Sequence, residues 1–178
     1  MRFFERVWFA GGREWVCSRA SGAVLEVAVG TGLNLSRYPA GVRVTGVDLS
    51  PKMLELASAR GRSTNLAVAD ASALPFAPSS FDAVVCTLSM CTIPDPRAAI
   101  AEMHRVLRPG GSLLLLDHVG SRWWPVWGLQ RIVELFTARS GEYQTRRPLP
   151  WVIEGGFEVT ERERLKLGTV ERVAARRS

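Results

Sequence analysis

Small residues at Ala28, Gly30 and Gly32 close the apolar run Val24-Leu25-Glu26-Val27, and a carboxylate, Asp48, closes the next run sixteen positions after Gly32. A chain that leaves a strand at residues without bulky side chains can bring its backbone N–H groups against a ligand at the start of a helix. In a βαβ unit the tip of the second strand lies beside the first, so Asp48 is expected where it can accept hydrogen bonds from a ribose. Together these residues describe a nucleotide-type pocket for an adenosine-containing cofactor. The dinucleotide pattern G-x-G-x-x-G/A is absent, because Leu33-Asn34-Leu35 follow Gly32, and no lysine stands near the loop to complete a triphosphate-binding G-K-S/T ending.

Further along the chain, His118 follows Leu113 to Leu116 and Asp117 at the end of an apolar run. A histidine titrating near neutrality at a strand end is a candidate general base for a hydroxyl nucleophile, the competing reading being a packing or loop hydrogen-bonding role. His104 lies within a helical pattern away from the strand ends and reads as structural. Cys17, Cys86 and Cys91 are odd in number and lack C-x-x-C spacing, which argues against a disulfide framework and a zinc site. No metal site is read from them. Cys86 and Cys91 sit in apolar surroundings and read as buried thiols rather than nucleophiles. Trp123, Trp124 and Trp127 could line an aromatic pocket, but aromatic residues at helical spacing more often belong to a core.

The elements that must position these groups alternate. Strands are expected near 23–28, 42–48, 65–69, 81–87 and 112–118, and helices near 32–38, 51–60 and 96–107. The strand runs are almost continuously apolar, as in a parallel sheet covered by helices on both faces. Ser50-Pro51 and Asp95-Pro96 each offer a capping side chain before a proline at the first helical position. Residues 2–19 carry Phe4, Val7, Trp8, Trp15 and Val16 at roughly helical spacing interrupted by Gly11-Gly12, which suggests a broken helix. Val126, Leu129, Val133 and Phe136 mark another amphipathic helix. Gly155-Gly156-Phe157 reads as a helix stop entering an edge strand at 157–166, with a last inner strand at 169–175.

The segment Glu26, Ala28, Gly30, Gly32 resembles motif I of the class I S-adenosylmethionine-dependent methyltransferases, E-x-G-x-G-x-G, with alanine in place of the first glycine. Asp48-Leu49-Ser50-Pro51-Lys52-Met53-Leu54 resembles the family's DxSxxML segment. Ala69-Asp70-Ala71, Leu74-Pro75-Phe76 and Ser80-Phe81-Asp82 resemble its GDAxxLPFxxxSFD run. Glu102-Met103-His104-Arg105-Val106-Leu107-Arg108-Pro109-Gly110-Gly111 is similar to its E-x-x-R-V-L-k-P-G-G turn. These matches stand in the expected order across about residues 22–120. The resemblance implies an α/β, Rossmann-like class I methyltransferase fold: a mostly parallel seven-stranded sheet with helices on both faces, its last inserted strand antiparallel. It also implies S-adenosylmethionine as cofactor and S-adenosylhomocysteine as product. By position, Glu26, Ala28, Gly30 and Gly32 would border the methionine part, Asp48 and Leu49 the ribose and adenine, Asp70 and Ala71 the adenine edge. Thr87, with Leu88, Ser89 and Met90, would face the transferred methyl.

The 178 residues fit one methyltransferase domain, read as an N-terminal helical segment (1–20), a cofactor-binding half (21–120) and a substrate-side half (121–178). No apolar run reaches the roughly 20 residues of a membrane span, and the N-terminus lacks the core of a signal peptide, so a cytoplasmic protein is expected. The net charge of +6 is spread along the chain, which argues against nucleic acid as partner. The expected activity is methyl transfer to a small-molecule acceptor through an O, S, N or C nucleophile. The alternatives are a peripheral enzyme of a lipid or lipophilic quinone, suggested by Phe3-Phe4, Trp8 and Trp123-Trp124 beside arginines, and a cofactor-binding domain without catalysis. The sequence sets neither the acceptor nor the oligomeric state.

Overall fold

A computed structural model describes residues 10–60 and 64–178. Among them, strands β1 (Ala23–Val27), β2 (Arg43–Asp48), β3 (Asn65–Val68), β4 (Phe81–Thr87), β5 (Leu107–His118), β6 (Phe157–Leu165) and β7 (Val170–Arg177) form one sheet, ordered β3-β2-β1-β4-β5-β7-β6. β1 to β5 pair in parallel. β7 enters between β5 and β6 and is antiparallel to both. Helices α1 (Ala10–Arg19), α2 (Pro51–Ser58), α3 (Pro96–Val106), α4 (Trp124–Thr137) and α5 (Pro148–Glu154) complete the layers.

Successive side chains of a strand point to opposite faces, and the two cores follow that parity. Leu25, Val27, Val84, Cys86, Leu113 and Leu115 pack with Ile100, Met103 and Val106 of α3 and Val152 of α5. Val24, Ala83, Val85, Leu114 and Leu116 pack on the other face with Trp15, Val16 and Cys17 of α1 and Leu54 and Ala57 of α2. Both faces of the sheet are thus covered, which explains the unbroken apolar runs. The parity also fixes the direction of Glu26: it shares the α1 face with Val24 and is 1% exposed.

After β1 the chain crosses to β2 on one side, while β4 lies on the other side of β1. The crevice of an open α/β sheet opens at such a switch point, beyond the C-terminal ends of the strands. Two of three glycine-loop and cap expectations change here. The helix expected near 32–38 is only a three-residue 3-10 turn, Leu35–Arg37. Gly32 has φ +74, Asn34 spends its side chain on tertiary hydrogen bonds, and Pro39 follows, so an α-helix has no room to propagate. Ser50 makes no side-chain cap to α2. Asp95 does cap α3, accepting the N–H groups of Arg97 and Ala98 at 3.1 and 3.0 Å.

Gly11 and Gly12 both lie in the first turn of α1, and the part of the expected broken helix that precedes Ala10 lies outside the described residues. A Cβ on Gly12 would lie 2.7 Å from Leu116 Cδ1, so the glycine permits close approach of helix to sheet rather than ending the helix. Phe3, Phe4, Val7 and Trp8 lie outside the described residues. The tryptophans of α4 are not core: Trp123, Trp124 and Trp127 are all exposed.

Candidate active site

The backbone leaves β1 through Ala28 and Gly30, with φ +55 and +54, and Gly32 repeats the left-handed conformation. For Ala28 that geometry is strained, at about 1–2 kcal/mol. Leu88, just past β4, also has φ +55, so non-glycine residues in sparsely populated conformations flank the crevice on both sides. The glycines have different surroundings. A Cβ on Gly30 would meet nothing within 4 Å, whereas one on Gly32 would lie 2.9 Å from Leu35 Cδ1 and 3.0 Å from Ala57 Cα. Gly30 therefore lines open space and Gly32 is a packing contact with α2.

Asp48 stands beside this loop. Its Oδ2 accepts the Gly30 N–H at 2.8 Å and its Oδ1 accepts the Ser50 N–H at 2.9 Å. The next residue, Leu49, is 66% exposed at the rim. Asp70 lies beyond β3, exposed, its Oδ1 accepting the Ser72 N–H at 2.8 Å, with Ala71 half-buried beside it. The loop from Asp70 to Phe76 is bolted to α3. Leu74 N–H donates to Glu102 Oε2 at 2.7 Å, and Arg105 reaches the carbonyls of Phe76 and Leu74 at 2.7 and 2.9 Å while pairing with Glu102. That clamp holds both carboxylate and guanidinium in their charged forms, lowering Glu102 and raising Arg105.

Glu26 and Thr87 sit beneath the crevice. Glu26 Oε1 accepts Asn34 Nδ2 at 2.8 Å and its Oε2 accepts the Tyr38 hydroxyl at 2.9 Å. Thr87 Oγ1 accepts Asn34 Nδ2 and Arg13 Nη1, each at 3.0 Å, and Arg13 Nη1 also donates to Asn34 Oδ1 at 2.9 Å. This buried network joins β1, the glycine loop, β4 and α1. Burial pushes the Glu26 carboxyl up to about 7, against the lowering effect of Tyr38, Asn34 and Arg13. Sequence reasoning missed Arg13, Asn34 and Tyr38, although Asn34 between two leucines was a visible anomaly.

On the far side of the crevice β5 ends in Asp117-His118. Asp117 is 2% exposed and its oxygens accept the N–H groups of Met90 and His118 at 2.7 and 2.8 Å, tying the turn after β4 to β5. Burial raises its pKa, opposed by His118 and these hydrogen bonds. His118 Nδ1 lies 3.6 Å from Asp117 Oδ1, beyond hydrogen-bond range, and its buried Nε2 has no partner among the described residues. Cys91 completes a cluster in which one ligand-type atom from each of Cys91, Asp117 and His118 lies within 4.8 Å of the others. The Cys86 and Cys91 thiols are pushed up by burial, which favours inert over nucleophilic sulfur. His104 stacks edge-on against Phe157 at 5.0 Å, away from the crevice.

A family model described as "Methyltransferase domain" matches residues 25–115. The demethylmenaquinone methyltransferase of Renibacterium salmoninarum is 41% identical over 95 residues, covering 53% of this chain and 40% of that protein. A thiol S-methyltransferase of Mus musculus is 40% identical over 104 residues, covering 54% and 43%. The matches thus span less than half the length of these relatives. An S-adenosylmethionine dependent methyltransferase structure from Mesorhizobium loti superposes with a TM-score of 0.75 at 19% identity, covering 95% of this chain and 97% of that one, a likeness of fold. The sheet order, the crevice at the tips of β1 and β4 and the matched stretch agree: the chain belongs to the methyltransferase domain family and has the class I fold of the S-adenosylmethionine-dependent methyltransferases.

Proposed function

We propose that this protein transfers the methyl group of S-adenosylmethionine to a small-molecule acceptor and releases S-adenosylhomocysteine. The observation that carries the reading is the open space over Gly30 beside a carboxylate that already holds the loop. The residues fit the cofactor. Ala28 and Gly30 would border its methionine part, and Gly32 would set the loop's height by packing on α2. Asp48 would accept the ribose hydroxyls with the lone pairs left on its oxygens, and Leu49 offers an apolar platform for adenine. Asp70 and Ala71 would meet the adenine edge, in a loop kept rigid by Glu102 and Arg105. Glu26 and Thr87 are buried in their own network and act as positioning residues beneath the loop rather than as ligands.

The sulfonium supplies an activated methyl, so the protein has chiefly to orient the acceptor and exclude water. His118 is the group suited to take a proton, with a free Nε2 at the strand end and a carboxylate beside Nδ1. The relatives include a demethylmenaquinone methyltransferase and a thiol S-methyltransferase, so the acceptor classes tested first are thiols, phenols and quinols. The test is S-adenosylhomocysteine release in the presence of each class, after calorimetry with S-adenosylhomocysteine itself. Turnover with one class is expected; failure of the intact chain to bind S-adenosylhomocysteine overturns the proposal.

A further inference from the structure

Helix α4 is folded inside out. Of its fourteen residues only Glu134 is buried, while Trp124, Leu129, Ile132, Leu135 and Phe136 are 79, 62, 56, 68 and 74% exposed. At about 100° per residue these five side chains fall within one arc of roughly 140°, which contains no charged residue. The opposite side carries the polar anchors. Gln130 Nε2 donates to the Val119 carbonyl at 3.0 Å and its Oε1 accepts the Ser121 N–H at 2.8 Å. Glu134 Oε2 accepts the Thr145 N–H and hydroxyl at 2.7 and 2.8 Å, and its other oxygen pairs with Arg131. Polar bonds hold the helix to the domain, so its apolar face is left for something else.

We propose that this face docks flat on an anionic phospholipid bilayer. The charge distribution selects that occupant. Residues 119–153 contain five arginines, Arg122, Arg131, Arg139, Arg146 and Arg147, against two glutamates, Glu134 and Glu142. Arg122, Arg139 and Arg147 are exposed, Arg131 and Glu134 neutralise each other as an ion pair, and Glu142 is half-buried. Exposed tryptophans at Trp123, Trp124 and Trp127 cluster at the start of the helix, a residue type suited to the headgroup boundary. An apolar arc on a helix whose surrounding segment carries net positive charge is the pattern of a helix lying in the plane of a membrane surface. At fourteen residues α4 is about 21 Å long, too short to span the roughly 30 Å hydrocarbon core.

Docking would also serve the crevice. Gln130 grips Val119 and Ser121, the residues just past His118, so a bilayer beneath α4 brings its surface to the end of β5. Given the methyl-transfer reading, on which this one step rests, the acceptor is an amphipathic molecule presented from the lipid phase.

The test is co-sedimentation of the full chain with vesicles of phosphatidylcholine and phosphatidylglycerol at 7:3, and of phosphatidylcholine alone. The wild type is expected to pellet with the anionic vesicles and at least tenfold less with the neutral ones. The double substitution Ile132→Glu/Phe136→Glu, both at exposed positions, is expected to weaken pelleting at least tenfold while the far-ultraviolet spectrum and S-adenosylhomocysteine titration stay unchanged. Failure of the wild type to pellet overturns docking, as does wild-type pelleting that the double variant retains. Absence of pelleting with a concentration-dependent dimer that the variant dissolves overturns it in favour of a second copy. Loss of S-adenosylhomocysteine binding by the wild type overturns the functional reading instead, so the two failures are told apart.

Discussion

Asp48 Oδ2 accepts the backbone N–H of Gly30 at 2.8 Å, which makes the acid at the tip of β2 and the loop after β1 one mechanical unit. The acid thus holds the left-handed loop in place and fixes the start of α2 through Ser50. Hydrogen bonds to a charged group contribute about 1.5–3 kcal/mol each.

Asp48→Ala removes the acceptor for both Gly30 and Ser50 as well as the proposed ribose contact. S-adenosylhomocysteine affinity measured by calorimetry should fall about 10- to 100-fold or more. Asp48→Asn keeps one acceptor oxygen and should fall between wild type and alanine.

Gly30 and Gly32 separate binding from stability. Gly30→Ala adds a methyl to open space at φ +54, so unfolding stability should drop by only about 1–2 kcal/mol while cofactor affinity collapses. Gly32→Ala drives its methyl into Leu35 and Ala57 at φ +74 and should destabilise by about 2–4 kcal/mol. Paired urea denaturation and calorimetry check both; equal losses of stability would contradict the assignment.

Glu26 should leave a signature in stability against pH. Its folded value of about 7 lies above the ordinary 4.5, so between those values the native state holds a proton that the unfolded chain releases. Stability contributed by this group is therefore greatest below about pH 4.5, falls by about 3 kcal/mol as pH rises to 7, and is flat above. Glu26→Gln cannot titrate. The stability of the variant minus that of wild type should rise across this window and then level off, as read by urea denaturation at several pH values.

His118→Gln should reduce kcat by about 10²- to 10⁴-fold for an acceptor whose proton must be removed, with S-adenosylhomocysteine affinity unchanged. A kcat within threefold of wild type would reduce His118 to a packing residue.

The strands were legible because their signals are local: apolar runs of the right length, closed by small residues or an acid. The antiparallel insertion of β7 could be expected only from resemblance, since pairing across the sheet leaves no mark in either strand alone. The helix at 32–38 was misread because Leu33 and Leu35 carry apolar weight, whereas Asn34 and Gly32 act through contacts invisible in sequence. Arg13, Glu26, Thr87 and the Asn34–Tyr38 turn meet from four separate segments, so their network had no local pattern to betray it. Glu102 and Arg105 were found as part of a string, but only the fold shows that they grip Leu74 and Phe76. In α4 the amphipathic periodicity was legible, but spacing reports which residues share a face and not which face turns inward.

Ala28 and Leu88 end adjacent parallel strands, and each is held with φ +55. Conformational freedom at the mouth of the crevice is therefore surrendered when the chain folds, not when a ligand arrives. An incoming adenosyl group meets walls already in their final shape, which lowers the entropic penalty of association.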